Sequence, residues 1–371
     1  MVTMPRDLSN ASAITEGFLG GLRLLCCKKR EDTEMKTVRL MLILLVLAVA
    51  LAACGGTGNS GITGGQAAQE QPKGKEGQTP QSGNTGAEAE KTIQHAMGSI
   101  TLKKQPTRVV ILYNGMVDNA VALGVKPVGA VQSWEEKPWY LFLRDKMAGV
   151  ANLGEETQPN IEAIAGLKPD LIIGAKARHE KIYPQLSAIA PTLMTESVFD
   201  WKGNLKLGAA AMYKEKEAEQ ILQQWDKRVA EFKQKVGSSL SRTEVSIVRF
   251  ESDGSARLYI TGFAGTIFQE LGLSRPKAQQ VEGKTVVNLT SKEQMVQLDG
   301  DYIFDMTRFV EGDPSNRQTL EAWTSHPLWK SLKGVKAGHY FPVDVITWNL
   351  SAGALAAQSL LDDLYKYFQI K

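Results

Sequence analysis

The chain has 371 residues, with 43 Lys plus Arg, 40 Asp plus Glu and a formal net charge of +3. This near balance excludes a strongly basic surface, so nucleic acid is not expected as a partner. The three cysteines are Cys26, Cys27 and Cys54, and all precede a body that is long enough for one large domain or two lobes.

The first distinctive segment runs from Met35 to Cys54. Lys36 and Arg39 give it a positive start, and the apolar run at 40–53 is shorter than the about 20 residues that a membrane-spanning helix needs. This order predicts a secretion signal over 35–53, with a short anchor or buried helix as the alternative. The cysteine after small residues resembles the lipobox of bacterial lipoproteins, which implies acylation of Cys54 and a lipid anchor on the outer face of the cell membrane.

Residues 1–34 do not fit a signal that begins at the N-terminus, so we expect Met35 to be the true start and 1–34 to be a spurious extension. Cys54 would then be the only cysteine, and no disulfide is expected. Residues 1–53 hold seven Lys or Arg and five Asp or Glu, which leaves the remainder at +1. Residues 54–91 are rich in Gly, Gln, Ser, Thr and Pro and predict a flexible tether.

Short apolar runs at 109–112, 128–131, 171–174 and 192–194 predict buried strands. Segments with helical spacing separate these runs, and one of them covers 161–167. Strands that alternate with helices predict an α/β fold with a parallel, doubly wound, Rossmann-like sheet.

A change of pattern follows at about 203–236. Apolar residues recur there at helical spacing, Asn204 is a candidate cap and Gly237 a candidate end. This predicts one long helix, or two in line, that acts as a packing scaffold.

The pattern of the first half then returns. Residues 162–172 align without a gap on residues 293–303, with Glu, Leu, Asp and Ile at the same offsets. We therefore expect two similarly built lobes, at 92–200 and 241–371, joined by a long helix within 201–240.

Several motifs, taken together and in order, resemble the periplasmic-type binding proteins for ferric siderophores and vitamin B12. The resemblance covers about residues 92–371 and rests on Ile93–Gly98, Pro106–Val110, Leu123–Gly129, Leu167–Gly174, His326–Trp329, Val335–Gly338 and Trp348–Leu350. It implies a two-lobed, monomeric receptor of an ATP-driven importer, with the ligand held between the lobes and with little hinge motion.

Glu162 and Glu293 occupy matching positions of the two lobes, two residues after the plausible caps Asn160 and Ser291. Acidic residues in a first helical turn also complement the helix dipole, an effect worth about 0.3–1 kcal/mol. That effect explains each glutamate singly but not their equivalence. The resemblance implies that one glutamate on each lobe docks the permease, and arginines there could receive both.

Three arginine candidates for ligand binding follow predicted strands, where open α/β folds bind their ligands. Arginine suits an oxygen-rich anion because its planar fork donates two hydrogen bonds and stays charged. Aromatic side chains provide walls, although core packing is their commoner role, with Tyr113 and Trp134 in loops after strands as the exceptions. The arginine candidates are Arg178, Arg249 and Arg308, with Arg249 favoured by the resemblance, and the aromatic candidates are Tyr113, Trp134, Tyr259, Phe263 and Trp348.

The expected ligand is an iron(III)–siderophore complex. A citrate-based hydroxamate siderophore is preferred, and ferric citrate, a ferric catecholate and cobalamin are the alternatives. No protein cofactor and no metal ligand set is expected, because His95, His179, His326 and His339 share no ligand-like spacing. His179 is expected to be exposed. A surface hydrolase is the alternative class, and the sequence has neither a G-x-S-x-G elbow nor a Walker motif to favour an enzyme.

Overall fold

The structure is a computed structural model that describes residues 90–370, and these belong to one compact unit. The predicted signal, the acylation site at Cys54 and nearly all of the predicted tether lie outside the described residues. No helix within 90–370 is both long enough and apolar enough to cross a membrane.

The first lobe contains a five-stranded sheet in the order β5-β4-β3-β8-β9, and all of its strand pairs are parallel. The β8 strand is buried throughout, as expected of a sheet that is covered on both faces. The elements in chain order are β1 Lys91–His95, β2 Gly98–Leu102, β3 Val109–Ile111, α1 Asn114–Ala122, β4 Gly129–Ala130, α2 Leu141–Arg144, β5 Ala151–Asn152, β6 Gly154–Glu155, β7 Gln158–Pro159, α3 Ile161–Gly166, β8 Leu171–Ala175, α4 Lys176–His179, α5 Tyr183–Ile189 and β9 Thr192–Thr195.

Two consecutive helices follow, α6 at Trp201–Met212 and α7 at Glu215–Val236. Tyr213 between them is in the left-handed conformation with φ 59°. The ring centroids of Trp201 and Trp225 are 4.9 Å apart, so α6 folds back along the first half of α7. A single helix of 22 residues joins the lobes, as one of the two predicted alternatives has it, but the predicted extent of about 203–236 is corrected because α6 is a separate helix that belongs to the first lobe. The cap of α6 is Asp200, which accepts from the Gly203 N–H at 3.0 Å, and not Asn204.

The second lobe has a five-stranded sheet in the order β12-β11-β10-β13-β14. The pairs β10–β13 and β13–β14 are parallel, whereas β11 pairs antiparallel with both of its neighbours, so the expected parallel sheet is mixed here. Its β10–β11 connection is a short hairpin loop, which only antiparallel strands allow. The elements are β10 Val245–Phe250, β11 Ala256–Tyr259, α8 Gly262–Leu271, β12 Val286–Leu289, β13 Tyr302–Asp305, α9 Ser315–Thr324, α10 Lys333–Lys336, β14 Tyr340–Pro342 and α11 Ala354–Tyr367.

The aspartates of the internal repeat have the same structural role in both lobes. Asp170 accepts from the Arg108 N–H at 2.8 Å, just before β3, and Asp301 accepts from the Glu244 N–H at 2.8 Å, just before β10. Asp170, which precedes β8, thus fixes the start of the neighbouring strand β3, and Asp301, which precedes β13, fixes the start of the neighbouring strand β10. The repeat reflects an equivalent fold of the two lobes.

The two lobes are also connected through the start of α11. Asp118 of α1 is buried and accepts from the backbone N–H groups of Leu355 and Ala356, at 2.7 and 3.0 Å, and from the Ser351 hydroxyl at 2.9 Å. Burial raises the pKa of Asp118 to about 6. A side chain of the first lobe thus caps the C-terminal helix.

Candidate functional site

A cavity of about 310 Å³ lies between the lobes. It brings together five of the residues that the sequence predicts for the ligand site. These are Tyr113, Trp134 and Arg178 from the first lobe, and Arg249 and Tyr259 from the second. Pockets of 300 Å³ and more are typical of small-molecule sites, so the cavity is large enough to hold a ligand.

Arg178 is positioned by Glu156, which sequence reasoning did not single out. The Glu156 carboxylate is only 5 % exposed and accepts from Arg178 Nε at 3.1 Å. Its other oxygen accepts from the backbone N–H of Asn114 at 3.0 Å and from Asn114 Nδ2 at 2.9 Å, at the first residue of α1. The terminal amino groups of Arg178 have no partner among residues 90–370, so they are available to a ligand.

The prediction that His179 is exposed is wrong. Its side chain is buried, with Nδ1 accepting from the Ala175 N–H at 3.1 Å and Nε2 at 2.8 Å from the Glu156 carbonyl oxygen. Burial lowers the pKa of His179. Since the ring contacts the backbone of the residue that binds Arg178, it fixes the local chain and does not line the cavity.

Arg249 lies on the opposite wall and is held in the same manner. Glu251 accepts from Arg249 Nε at 2.8 Å and contacts Arg257 at 3.3 Å, so a single carboxylate holds two arginines. The Arg249 guanidinium lies 5.4 Å from the centre of the Tyr259 ring, a cation–π distance. Burial raises the pKa of Tyr259, which keeps its hydroxyl protonated at neutral pH.

Arg308 lies in a neighbouring cavity of about 500 Å³ and not in the first one. It forms an ion pair with Glu135 of the first lobe. The remaining lining comes mainly from the second lobe and includes Asp305, Tyr340 and Ile346. The three predicted arginines thus divide between two adjacent cavities.

Two aromatic candidates are placed in the core. Trp348 is fully buried, its ring centroid lies 4.9 Å from that of Phe304, and its indole Nε1 donates to Asp363 at 2.8 Å. Phe263 is fully buried within α8. The expectation of a cleft position for Trp348 is therefore not met, because its ring faces the helices α8 and α11. Phe199, which the sequence did not point to, lines the cavity.

Glu162 and Glu293 occupy equivalent positions. Asn160 caps α3, since its Oδ1 accepts from the Ala163 N–H at 2.9 Å, and Ser291 forms a capping box with Gln294 at the start of the 3₁₀ helix Lys292–Leu298. Each glutamate is the second residue of its helix and is exposed. Glu293 accepts from the Ser291 hydroxyl, which lowers the pKa of its carboxyl, whereas Glu162 has no ion pair within 90–370.

No group of three or more His, Cys, Asp or Glu side chains within 90–370 is arranged to hold a metal ion. The cavity of about 310 Å³ is lined by two arginines and one carboxylate, whereas the cavity of about 500 Å³ is lined by one arginine with Glu135, Glu136, Asp305 and Asp344. Arginines recognise the oxygen atoms of an anion through paired hydrogen bonds, so the smaller cavity is the one whose charge suits an anion.

Comparison with known proteins gives concordant results. The family model of the periplasmic binding proteins matches residues 109–344. The probable siderophore-binding lipoprotein YfiY of Bacillus subtilis is 45 % identical over 286 residues, which cover 75 % of this chain and 87 % of that protein. The achromobactin-binding periplasmic protein of Dickeya dadantii is 37 % identical over 264 residues, or 70 % and 85 % of the two chains.

Solved structures extend this similarity to the fold. Staphylococcus aureus SirA, in complex with staphyloferrin B, matches with a TM-score of 0.72 and 41 % identity, over 76 % of this chain and 99 % of SirA. The two-lobed α/β architecture with a long joining helix is confirmed by this match. The chain belongs to the periplasmic binding protein family.

Proposed function

We propose that this chain is the substrate-binding lipoprotein of an ATP-driven importer, and that it captures a ferric siderophore between its lobes and delivers it to a membrane permease. The observation that carries this proposal is the interlobe cavity in which Arg178 and Arg249 approach from opposite walls. The similarity to the probable siderophore-binding lipoprotein YfiY, to the achromobactin-binding protein and to SirA in complex with staphyloferrin B supports the same ligand class. The site binds and releases the complex without altering it, so no catalysis is proposed.

The charge of the cavity favours an anionic complex. The charged residues that line the cavity are Arg178, Arg249 and Glu156, which leaves one positive charge in excess. A citrate-based hydroxamate complex supplies carboxylate and hydroxamate oxygens for these forks, and it remains the first choice. Ferric citrate, a ferric catecholate and cobalamin are the alternative ligands, and neutral cobalamin would leave the arginines unmatched.

A fluorescence titration of the purified chain tests the proposal. The panel contains a ferric citrate-dihydroxamate, ferric citrate, a ferric catecholate and cobalamin, and Trp134 in the cavity wall provides the signal. At least one ferric chelate should bind with a Kd below about 10 μM. If none does, the assignment fails. Trp134→Phe should remove the signal change, whereas a control Trp225→Phe, in a fully buried position outside the cavity, should preserve it.

We further propose that Glu162 and Glu293 dock the permease. Glu162 and Glu293 each lie in the first turn of the corresponding helix of their lobe and are exposed. A permease with two-fold symmetry would have two equivalent sites, one for each carboxylate. In iron-starved cells, Glu162→Ala with Glu293→Ala should abolish uptake and leave ligand affinity unchanged. Glu219→Ala, at an exposed site on the joining helix, is the matched control and should take up ligand normally. Weakened ligand binding in the double variant would place these glutamates in the ligand site instead.

The lipid anchor at Cys54 completes the proposal, because a flexible tether raises the effective concentration of the receptor near its permease. The names of the lipoprotein relatives support it. Mass spectrometry of the native N-terminus should find a diacylated Cys54. An unmodified chain that begins before residue 54 would contradict this.

A further inference from the structure

The ion pair between Glu135 and Arg308 links the two lobes. Glu135 lies in the loop between β4 and α2, and Arg308 lies three residues beyond β13. The two side chains are 23 % and 40 % exposed, so the pair is partly shielded from solvent. Opening the cleft at this point requires the pair to separate.

The pair also lies at the junction of the two cavities. Trp134 lines the cavity of about 310 Å³, and the next residue, Glu135, lines that of about 500 Å³. On the opposite side, Asn349 to Ala352 line the first cavity and Val343 to Ile346 the second. Because successive residues of the same two segments line both spaces, the cavities are neighbouring parts of one cleft.

Glu135 differs from the other carboxylates that hold arginines. Glu156 binds Asn114 as well as Arg178, within one lobe, and Glu251 binds two arginines of neighbouring strands. The carboxylate of Glu135 has Arg308 as its single partner among the described residues. Glu156 and Glu251 are therefore fixed parts of the site, whereas Glu135 is free to exchange its partner.

We propose that Glu135 is an internal competitor of the ligand for Arg308. In the ligand-free protein its carboxylate occupies the guanidinium and holds the loop at 134–141 against the segment after β13. A carboxylate of an incoming ferric complex replaces Glu135 on Arg308, and the two cavities then become one continuous site. This inference rests on the proposed function, since it requires an anionic ligand.

The competition predicts effects of opposite sign at two glutamates. Glu135→Gln removes the competing charge and should tighten binding of ferric citrate by about 2- to 5-fold, the upper part of the range measured for exposed ion pairs. Ferrioxamine B, a ferric hydroxamate with a positive charge and no carboxylate, should show no such gain. Arg308→Gln should weaken ferric citrate binding, because the guanidinium for which Glu135 and the ligand carboxylate compete is then absent.

Glu155→Gln is the matched control. Glu155 is exposed and pairs with Lys137 at 3.6 Å within one lobe, so its variant loses an ion pair without affecting the interlobe contact. Ferric citrate affinity should stay at the wild-type value. If the wild type binds ferric citrate but Glu135→Gln binds it equally or more weakly, the competition between Glu135 and the ligand is wrong, and the proposed function still stands. If the wild type binds no chelate of the panel, the proposed function fails first.

A second measurement needs no ligand. Hydrogen–deuterium exchange of the ligand-free chain should be faster at 134–142 and 307–313 in both Glu135→Gln and Arg308→Gln, because either change releases the two segments from each other. Glu155→Gln should exchange like the wild type there. Equal exchange rates in all four proteins would show that the pair does not hold the lobes together, and would overturn the inference whichever ligand the protein binds.

Discussion

Replacing Glu156 by Gln tests how the site is positioned. The buried carboxylate accepts three hydrogen bonds, one from Arg178 and two from Asn114. A glutamine oxygen can keep the two Asn114 contacts, but its NH2 group then faces the Arg178 Nε–H, donor against donor. The variant thus removes the negative charge and leaves Arg178 without its holder, while the size of the side chain is conserved.

The magnitude follows from the contacts. Hydrogen bonds to charged groups contribute about 1.5–3 kcal/mol, and the partial exposure of Arg178 reduces the share of that bond. The two hydrogen bonds from Asn114 become weaker because their acceptor is then a neutral amide. The variant no longer buries a negative charge, however, and this offsets part of the lost stability. We expect the free energy of unfolding to fall by about 1–2 kcal/mol, and the affinity for the ferric ligand to fall by about 10-fold because Arg178 loses its fixed position.

Urea denaturation and ligand titration measure the two effects on the same preparation. Glu155→Gln is again the matched control. The side chain of Glu155, next in sequence to Glu156, is 58 % exposed, so its replacement should change the free energy of unfolding by less than about 0.5 kcal/mol. Wild-type stability and wild-type affinity in Glu156→Gln would refute the role of Glu156 as the holder of Arg178. A loss of stability with unchanged affinity would limit that role to the fold.

Two further predictions concern groups outside the cavity. Trp348→Phe removes the indole bond to Asp363 and should lower the free energy of unfolding by about 1 kcal/mol, without changing ligand affinity; a clear loss of affinity in a titration would return Trp348 to the site. Asp118 has a folded-state pKa of about 6, above its ordinary 3.8, so its protonation favours the folded state and that contribution is lost as pH rises through 6. Urea denaturation between pH 4 and 7 should therefore show a weaker fall in stability with rising pH in Asp118→Asn than in the wild type, and parallel pH profiles would contradict the assignment.

Much of the fold could be predicted from the sequence because buried parallel strands are continuous apolar runs. Leu171 to Ala175 is completely buried, as its composition suggests. The repeated Asp170 and Asp301 were visible as a pattern, and the structure gives the cause, since each fixes the start of a neighbouring strand. The turn at Tyr213 was not predictable, because a tyrosine in a left-handed conformation gives no sequence signal of the kind that glycine provides.

The site was predictable only in part. The position of an arginine after a strand is a local property, so Arg178 and Arg249 could be placed near the cleft. Their partners could not, because Glu156 is 22 residues from Arg178 and comes into contact only through the fold. The sequence also gives no means of deciding whether an aromatic residue such as Trp348 faces a core or a cleft, since both surroundings are apolar.

The proposed function requires that this chain bind an anionic ferric siderophore between arginines of opposite lobes. Isothermal titration of a ferric citrate-dihydroxamate into the wild type, Arg249→Gln and Arg242→Gln measures this binding and the share of one arginine in it. Arg242 is an exposed arginine that lines neither cavity and is the matched control. We predict a wild-type Kd below about 10 μM, a loss of about 10-fold or more in Arg249→Gln and no change in Arg242→Gln. Equal affinities in all three proteins, or no binding by the wild type, would contradict the account.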